Sequence, residues 1–317
     1  MPRHKHFIPQ GVIPAVILPF HDDFSIDEQS FRKHLRDVTA TEGLSAVTVN
    51  AHSTEVASCS FDEQRRVLEI AGDEIGDKLP IVNGIWADGS IEAARIAKMA
   101  TAGGASALLV FPPAPFTLGQ NQAMAVEHFK RIADASDLPI IAFQYPLATG
   151  QGYPNETLLR MVDEVPNIRA IKDWAGTVQQ HEWHVRTLQS LPQPVNVLST
   201  QSSWLMSSLV LGCKGLLSGS GSVIADLQAK LFRAVQGNDL REARALNDRI
   251  YPLARAFYAS PWVDMHNRMK EALVLLGRLG KAVVRPPLVK IEAAEIAGIK
   301  QALNEAGLLG AKKLDAA

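Results

Sequence analysis

Cysteine is nearly missing: the 317 residues hold two, Cys59 and Cys213, and neither sits in a C-x-x-C pair. That count excludes a disulfide scaffold and argues against a cysteine zinc site. Long hydrophobic runs are missing too. No uninterrupted apolar stretch reaches about 18 residues, so no membrane span is expected. The opening MPRHKHFIPQ lacks the apolar core of a signal peptide, which makes the cytoplasm the expected location. Neither sign of charge is in excess: 32 Lys and Arg face 33 Asp and Glu, for a net charge of −1 with neutral histidines. No basic stripe is interleaved with aromatics, so nucleic acid is not an expected partner. Low-complexity linkers and short-period repeats are also absent.

What remains is a globular composition, 47% hydrophobic and 21% charged, with enough apolar material for a large core. Short apolar runs alternate with longer amphipathic segments. The runs are Ile13–Pro19, Ala46–Asn50, Leu79–Asn83, Ser106–Phe111, Leu138–Phe143, Ile168–Lys172, Val195–Leu198 and Gly215–Leu217. Each is followed by a helical pattern, the first opening at Ser25 or Asp27 and the last running from Ile224 to Val235. The runs are continuous rather than alternating, as for parallel strands buried on both faces. Eight such units in about 225 residues predict an α/β fold, a closed (β/α)₈ barrel, over an open doubly wound sheet. The barrel is expected over residues 1–236. A helical extension over residues 237–317 is expected to pack on it or on a neighbouring subunit, with segments near Leu240–Tyr258, Val263–Leu279 and Ile291–Ala306.

Catalysis in this fold sits at the C-terminal ends of the strands. Lys172 ends the sixth run, where desolvation would lower its pKa and make a neutral amine able to form an iminium with a ketone. A lysine that snorkels to the rim or pairs with Asp173 is the alternative. The second run ends in Asn50-Ala51-His52-Ser53-Thr54-Glu55, whose hydroxyls and backbone N–H groups suit a carboxylate and whose His52 suits proton transfer. The same residues are also ordinary turn formers. Tyr145 shares a strand face with Phe143 and either reaches the barrel mouth or packs before the Pro146 turn. Trp174 either lines the pocket or packs in the shell. Gly219-Ser220-Gly221 suits an anion but lacks the dinucleotide fingerprint, so no cofactor is expected. His181 and His184 have a metal-compatible spacing, but their polar segment is expected to be exposed, and no metal is expected.

Taken together, the blocks GVIPAVILPF, AHSTE, LPIIAFQYPLATG, IRAIKDWAG, GCKGLLSGSG and VVRPPL, in this order over residues 11–308, resemble the dihydrodipicolinate synthase/N-acetylneuraminate lyase family of class I aldolases and dehydratases. The resemblance implies a Schiff base between Lys172 and pyruvate or another 2-oxo acid. It also implies substrate contacts from Ser53, Thr54, Phe143, Leu217 and Gly219, and a homotetramer built from dimers. His52 and Ser53 stand where the family has two hydroxyl residues, and Thr54 where it has a glycine. Phe143 stands where the family has a proton-relaying tyrosine. Phe111-Pro112-Pro113-Ala114 replaces a Pro-Tyr-Tyr block. Ala148 replaces the arginine of dihydrodipicolinate synthases, so that synthesis itself is not expected. The expected activity is a lyase, aldolase or dehydratase, with Lys172, His52 and Tyr145 as its catalytic residues and His52 favoured over Tyr145 as proton carrier. A non-catalytic 2-oxo acid-binding barrel is one alternative, supported by the two lost tyrosines. An unrelated barrel enzyme whose Lys172 only binds an anion is another.

Overall fold

A computed structural model describes residues 4 and 6–310. The start of the opening stretch and the last seven residues of the expected extension lie outside them. Eight parallel strands follow one another round the molecule: β1 Gly11–Pro14, β2 Val47–Val49, β3 Ile81–Ile85, β4 Ala107–Val110, β5 Ile140–Gln144, β6 Ile168–Asp173, β7 Asn196–Ser199 and β8 Gly215–Ser218. β1 pairs with β8, and the ring closes where Ser45 N–H bonds Val12 O and Val16 N–H bonds Thr48 O, each at 3.0 Å. This is the expected (β/α)₈ barrel. Seven strands carry the expected apolar runs to within two residues at each end. β1 lies at the start of its run, and residues 16–19 continue as buried coil.

The continuous runs have a direct cause. Along β4, Ala107 and Leu109 point into the barrel while Leu108 and Val110 point out to the helical shell, and all four are fully buried. With no wet face, there is no alternation of polar and apolar residues. The shell helices are α1 Glu28–Thr39, α2 Phe61–Ile75, α3 Ser90–Ala102, α4 Gln122–Ala133, α5 Asn155–Glu164, α6 Val178–Leu188, α7 Leu205–Val210 and α8 Gly221–Gln236. Local chemistry sets their starts. Asp27, Asn121 and Thr177 accept N–H bonds from the first turns of α1, α4 and α6, and Ser60 with Glu63 forms a capping box on α2.

Beyond Gly237 come α9 Leu240–Phe257, α10 Met265–Leu275 and α11 Ala293–Glu305. α9 packs on α8, α10 packs on α8 and the short 3₁₀ turn His52–Thr54, and α11 packs on α9 and α10. Arg268 of α10 is 1% exposed, and its guanidinium donates to the carbonyls of Ala259 (2.6 Å), Pro261 (3.1 Å) and Phe257 (3.3 Å) and pairs with Glu295. It thereby fixes the segment that brings Tyr258 and Trp262 over the C-terminal mouth of the barrel.

Candidate active site

Alternation along β6 sends Ala170 and Lys172 into the barrel and Ile171 and Asp173 into the shell. Lys172 is 5% exposed, and its Nζ stands 4.0 Å above the centre of the Phe143 ring, its direct neighbour in the β5–β6 register. Burial pulls its pKa down to about 7, so near neutrality about half of the amines are uncharged and nucleophilic. No pairing with Asp173 occurs. That carboxylate accepts from Nδ1 of both His181 (2.7 Å) and His184 (2.9 Å) and from Ala175 N–H (2.9 Å). The expectation that His181 and His184 are exposed is therefore overturned: both are 0% exposed. A polar helix face turned inward because a buried carboxylate at the strand end needed donors.

The β2 loop reaches the same mouth. Asn50 adopts φ 53°, and its Nδ2 donates to Asn83 Oδ1 (2.8 Å) and Gln64 O (2.9 Å). A Cβ on Gly84 would stand 1.8 Å from the Asn50 carbonyl oxygen, so only glycine lets β3 pass so close to this turn. The next residues are His52 and Ser53. Ser53 Oγ donates to Ala15 O at 2.9 Å, and Ser222 Oγ donates to the same carbonyl at 2.9 Å. Ser53 is thus free to turn its hydroxyl to a ligand without leaving Ala15 O unpaired.

His52 Nε2 and Tyr145 Oη share a short hydrogen bond. Phe143 and Tyr145 do occupy one face, with ring centres 4.6 Å apart. The two proton carriers weighed against each other from sequence are thus one bonded pair. Their pKa values differ from the ordinary ones. Burial, then the charge of Lys172, then His266, holds His52 down at about 3, and burial raises the Tyr145 phenol. Both groups are neutral at rest. The ordinary imidazole value near 6.5 does not apply to His52.

Lys172, His52, Ser53, Phe143, Gly219 and Trp174 all line one cavity at the mouth. Thr54 and Leu217 do not. Thr54 is fully buried and donates to Ala51 O at 2.8 Å, which shapes the turn, and Leu217 packs in the barrel interior. Tyr145 stands behind His52. Ala148 is exposed in the loop after β5 and borders a separate surface groove with Gly176. The sequence did not single out Thr200–Ser203 after β7, nor Tyr258, Trp262 and Met265 from the extension, all of which line the cavity. The strand-end rule could have found the first group. Nothing local marks the second. Among the described residues no cluster of three or more His, Cys, Asp or Glu is placed to hold a metal, and no helix is long and apolar enough to cross a membrane.

Residues 8–306 match the model of the dihydrodipicolinate synthetase family. The 4-hydroxy-tetrahydrodipicolinate synthase of Syntrophus aciditrophicus is 29% identical over 301 residues, covering 95% of this chain and 99% of the relative. That of Hyphomonas neptunium is 31% identical over 298 residues, covering 94% and 98%. Among solved structures, a prophage protein of the dihydrodipicolinic acid synthase family from E. coli K12, in complex with pyruvate, superposes with a TM-score of 0.87 at 23% identity, covering 94% and 99%. A monomeric dihydrodipicolinate synthase variant also gives 0.87 at 23%, covering 95% and 98%. These last two likenesses speak to the fold.

Proposed function

Because the chain belongs to the dihydrodipicolinate synthetase family of class I, Schiff-base lyases, we propose that it acts on a 2-oxo acid through an imine on Lys172, with a His52–Tyr145 pair in place of the family phenol. The observation that carries this is the buried strand-end amine with its pKa near 7, inside the cavity that Ser53 and His52 also line. The uncharged amine attacks the ketone carbon, and loss of water leaves an iminium. The Phe143 face, 4.0 Å from Nζ, favours a cation there, by roughly 0.5–2 kcal/mol. Ser53 turns from Ala15 O to the substrate carboxylate, whose negative charge in turn favours protonation of His52.

Neither member of the pair works as an ion at rest. His52, which lines the cavity, takes the proton of a substrate hydroxyl on the ring nitrogen that Tyr145 does not hold, while Tyr145 Oη accepts from Nε2–H and steadies the charge, and the steps reverse for protonation. The iminium accepts the electron pair released at the neighbouring carbon. Ala148 offers no charge to a second carboxylate, so we further propose that aspartate semialdehyde is not the partner, although similar proteins are named 4-hydroxy-tetrahydrodipicolinate synthases. Family membership also supports a homotetramer of two dimers working in the cytoplasm. The deciding experiment is borohydride reduction with pyruvate and mass spectrometry: an adduct mapped to Lys172 is expected, and an adduct on another lysine, or none, refutes the reading.

A further inference from the structure

The cavity above Lys172 has two unlike walls. One is aromatic. From Phe143 it climbs to Trp174 (ring centres 6.5 Å apart) and on to Trp262 (5.2 Å, planes at 58°), with Tyr258 and Met265 beside them. Trp262 stands at the rim, 52% exposed, with ring surface left uncovered. The other wall is Thr200–Ser203, which is polar and uncharged. Ser202 Oγ is buried there without a hydrogen-bond partner. Among the described residues lining the cavity, Lys172 is the only Lys or Arg, and no Asp or Glu appears.

We propose that the carbonyl partner in this site is an uncharged aryl aldehyde, so that the full substrate is a 4-aryl-4-hydroxy-2-oxo acid. This rests on the Schiff-base reading and names its second substrate. Once Lys172 is in the imine and the 2-oxo carboxylate is at Ser53, nothing charged is left to receive a second anion. A carboxylated or phosphorylated aldehyde would bury that anion against rings. A polyol would place several hydroxyls against the same faces. An aryl ring instead meets the edges and faces of Trp174 and Trp262, and a ring hydroxyl would satisfy Ser202 Oγ.

The cleavage balances. The amine and the C2 ketone give the iminium and one water. The 4-hydroxyl loses its proton to the Tyr145–His52 pair, the C3–C4 bond breaks, and its electrons pass into the iminium as an enamine. The aryl aldehyde leaves, C3 takes back a proton, and water hydrolyses the imine to release pyruvate.

The test runs in the condensation direction. Pyruvate is offered with benzaldehyde, glyceraldehyde or succinic semialdehyde, and borohydride trapping of pyruvate alone is done on the same preparation. Benzaldehyde is expected to show a kcat/KM about tenfold or more above the other two. Trp262→Ala is expected to erase that preference and Trp262→Phe to keep most of it. Preference for the carboxylated or the polyol aldehyde overturns the proposal. Trapping on Lys172 without benzaldehyde condensation overturns it alone. Failure to trap pyruvate on Lys172 overturns the Schiff-base reading and this inference with it.

Discussion

A lysine amine becomes a nucleophile only when it sheds its proton, and burial achieves this at Lys172 without help from a neighbouring cation. The rate of imine trapping should therefore rise about tenfold per pH unit below about pH 7 and level off above it, because the neutral fraction grows as pH rises. A flat profile across that range would show an amine that is not desolvated. Burial also has a thermodynamic sign. The folded pKa lies below the ordinary 10.5, so the unfolded chain binds the extra proton and the lysine destabilises the fold at neutral pH. Lys172→Met should abolish trapping and raise Tm by several degrees, read by calorimetry; a lower Tm would contradict it. The proton pair is separable from the amine. His52→Gln and Tyr145→Phe should each lower kcat by about 10²–10⁴ while leaving the pyruvate adduct on Lys172 detectable. If only one of them slows turnover, the two do not act as a pair.

At the scale of elements, the His52–Thr54 turn is held from the far end of the chain. Glu55, at φ 52°, forms a buried ion pair with Lys270 of α10 and accepts from Arg285 N–H at 3.0 Å. Lys270 also donates to Val283 O (2.7 Å), and Arg285 to Ser58 O (2.8 Å) and Phe24 O (2.7 Å). Lys270→Met leaves the Glu55 carboxylate buried without its cation and should cost about 3–5 kcal/mol in urea unfolding. Adding Glu55→Gln should recover part of that loss; strictly additive losses would mean that the two groups act independently. The barrel was legible in the sequence because each strand carries its own apolar run and α1, α2, α4 and α6 carry their own side-chain caps. That Lys172, His52 and Ser53 meet at one cavity was legible because the C-terminal strand ends of such a barrel face one mouth. Tyr258 and Trp262 were not, since their place over the mouth depends on Arg268 and on packing between segments some 200 residues apart from Ser53. His181 and His184 read as exposed because helix periodicity cannot see the carboxylate at Asp173 that turns them inward.

For the whole molecule, the four histidines whose pKa burial lowers set an acid limit. Burial holds His34 and His128 at about 4 and His52 and His266 at about 3, against an ordinary 6.5. Between those values the unfolded chain takes up protons that the folded one refuses, so stability rises with pH. It is complete above about pH 6.5 and drains away as pH falls towards 4 and 3, each histidine contributing up to about 1.4 kcal/mol per unit. Melting temperatures measured from pH 8 down to pH 4 should hold steady and then fall below about 6.5; a flat curve to pH 4 would mean that these rings take up their protons without cost. The long reach of the extension has a different kind of consequence, one of timing. Ribosomes deliver a chain from its N-terminus, so Lys172 emerges while Tyr258, Trp262, Lys270 and Arg285 are still to be made. Until β7 and β8 close the ring, its amine is an ordinary solvated ammonium with only a very small neutral fraction at neutral pH. On the proposed Schiff-base reading, the nucleophile is armed only when the barrel and the roof over it are complete.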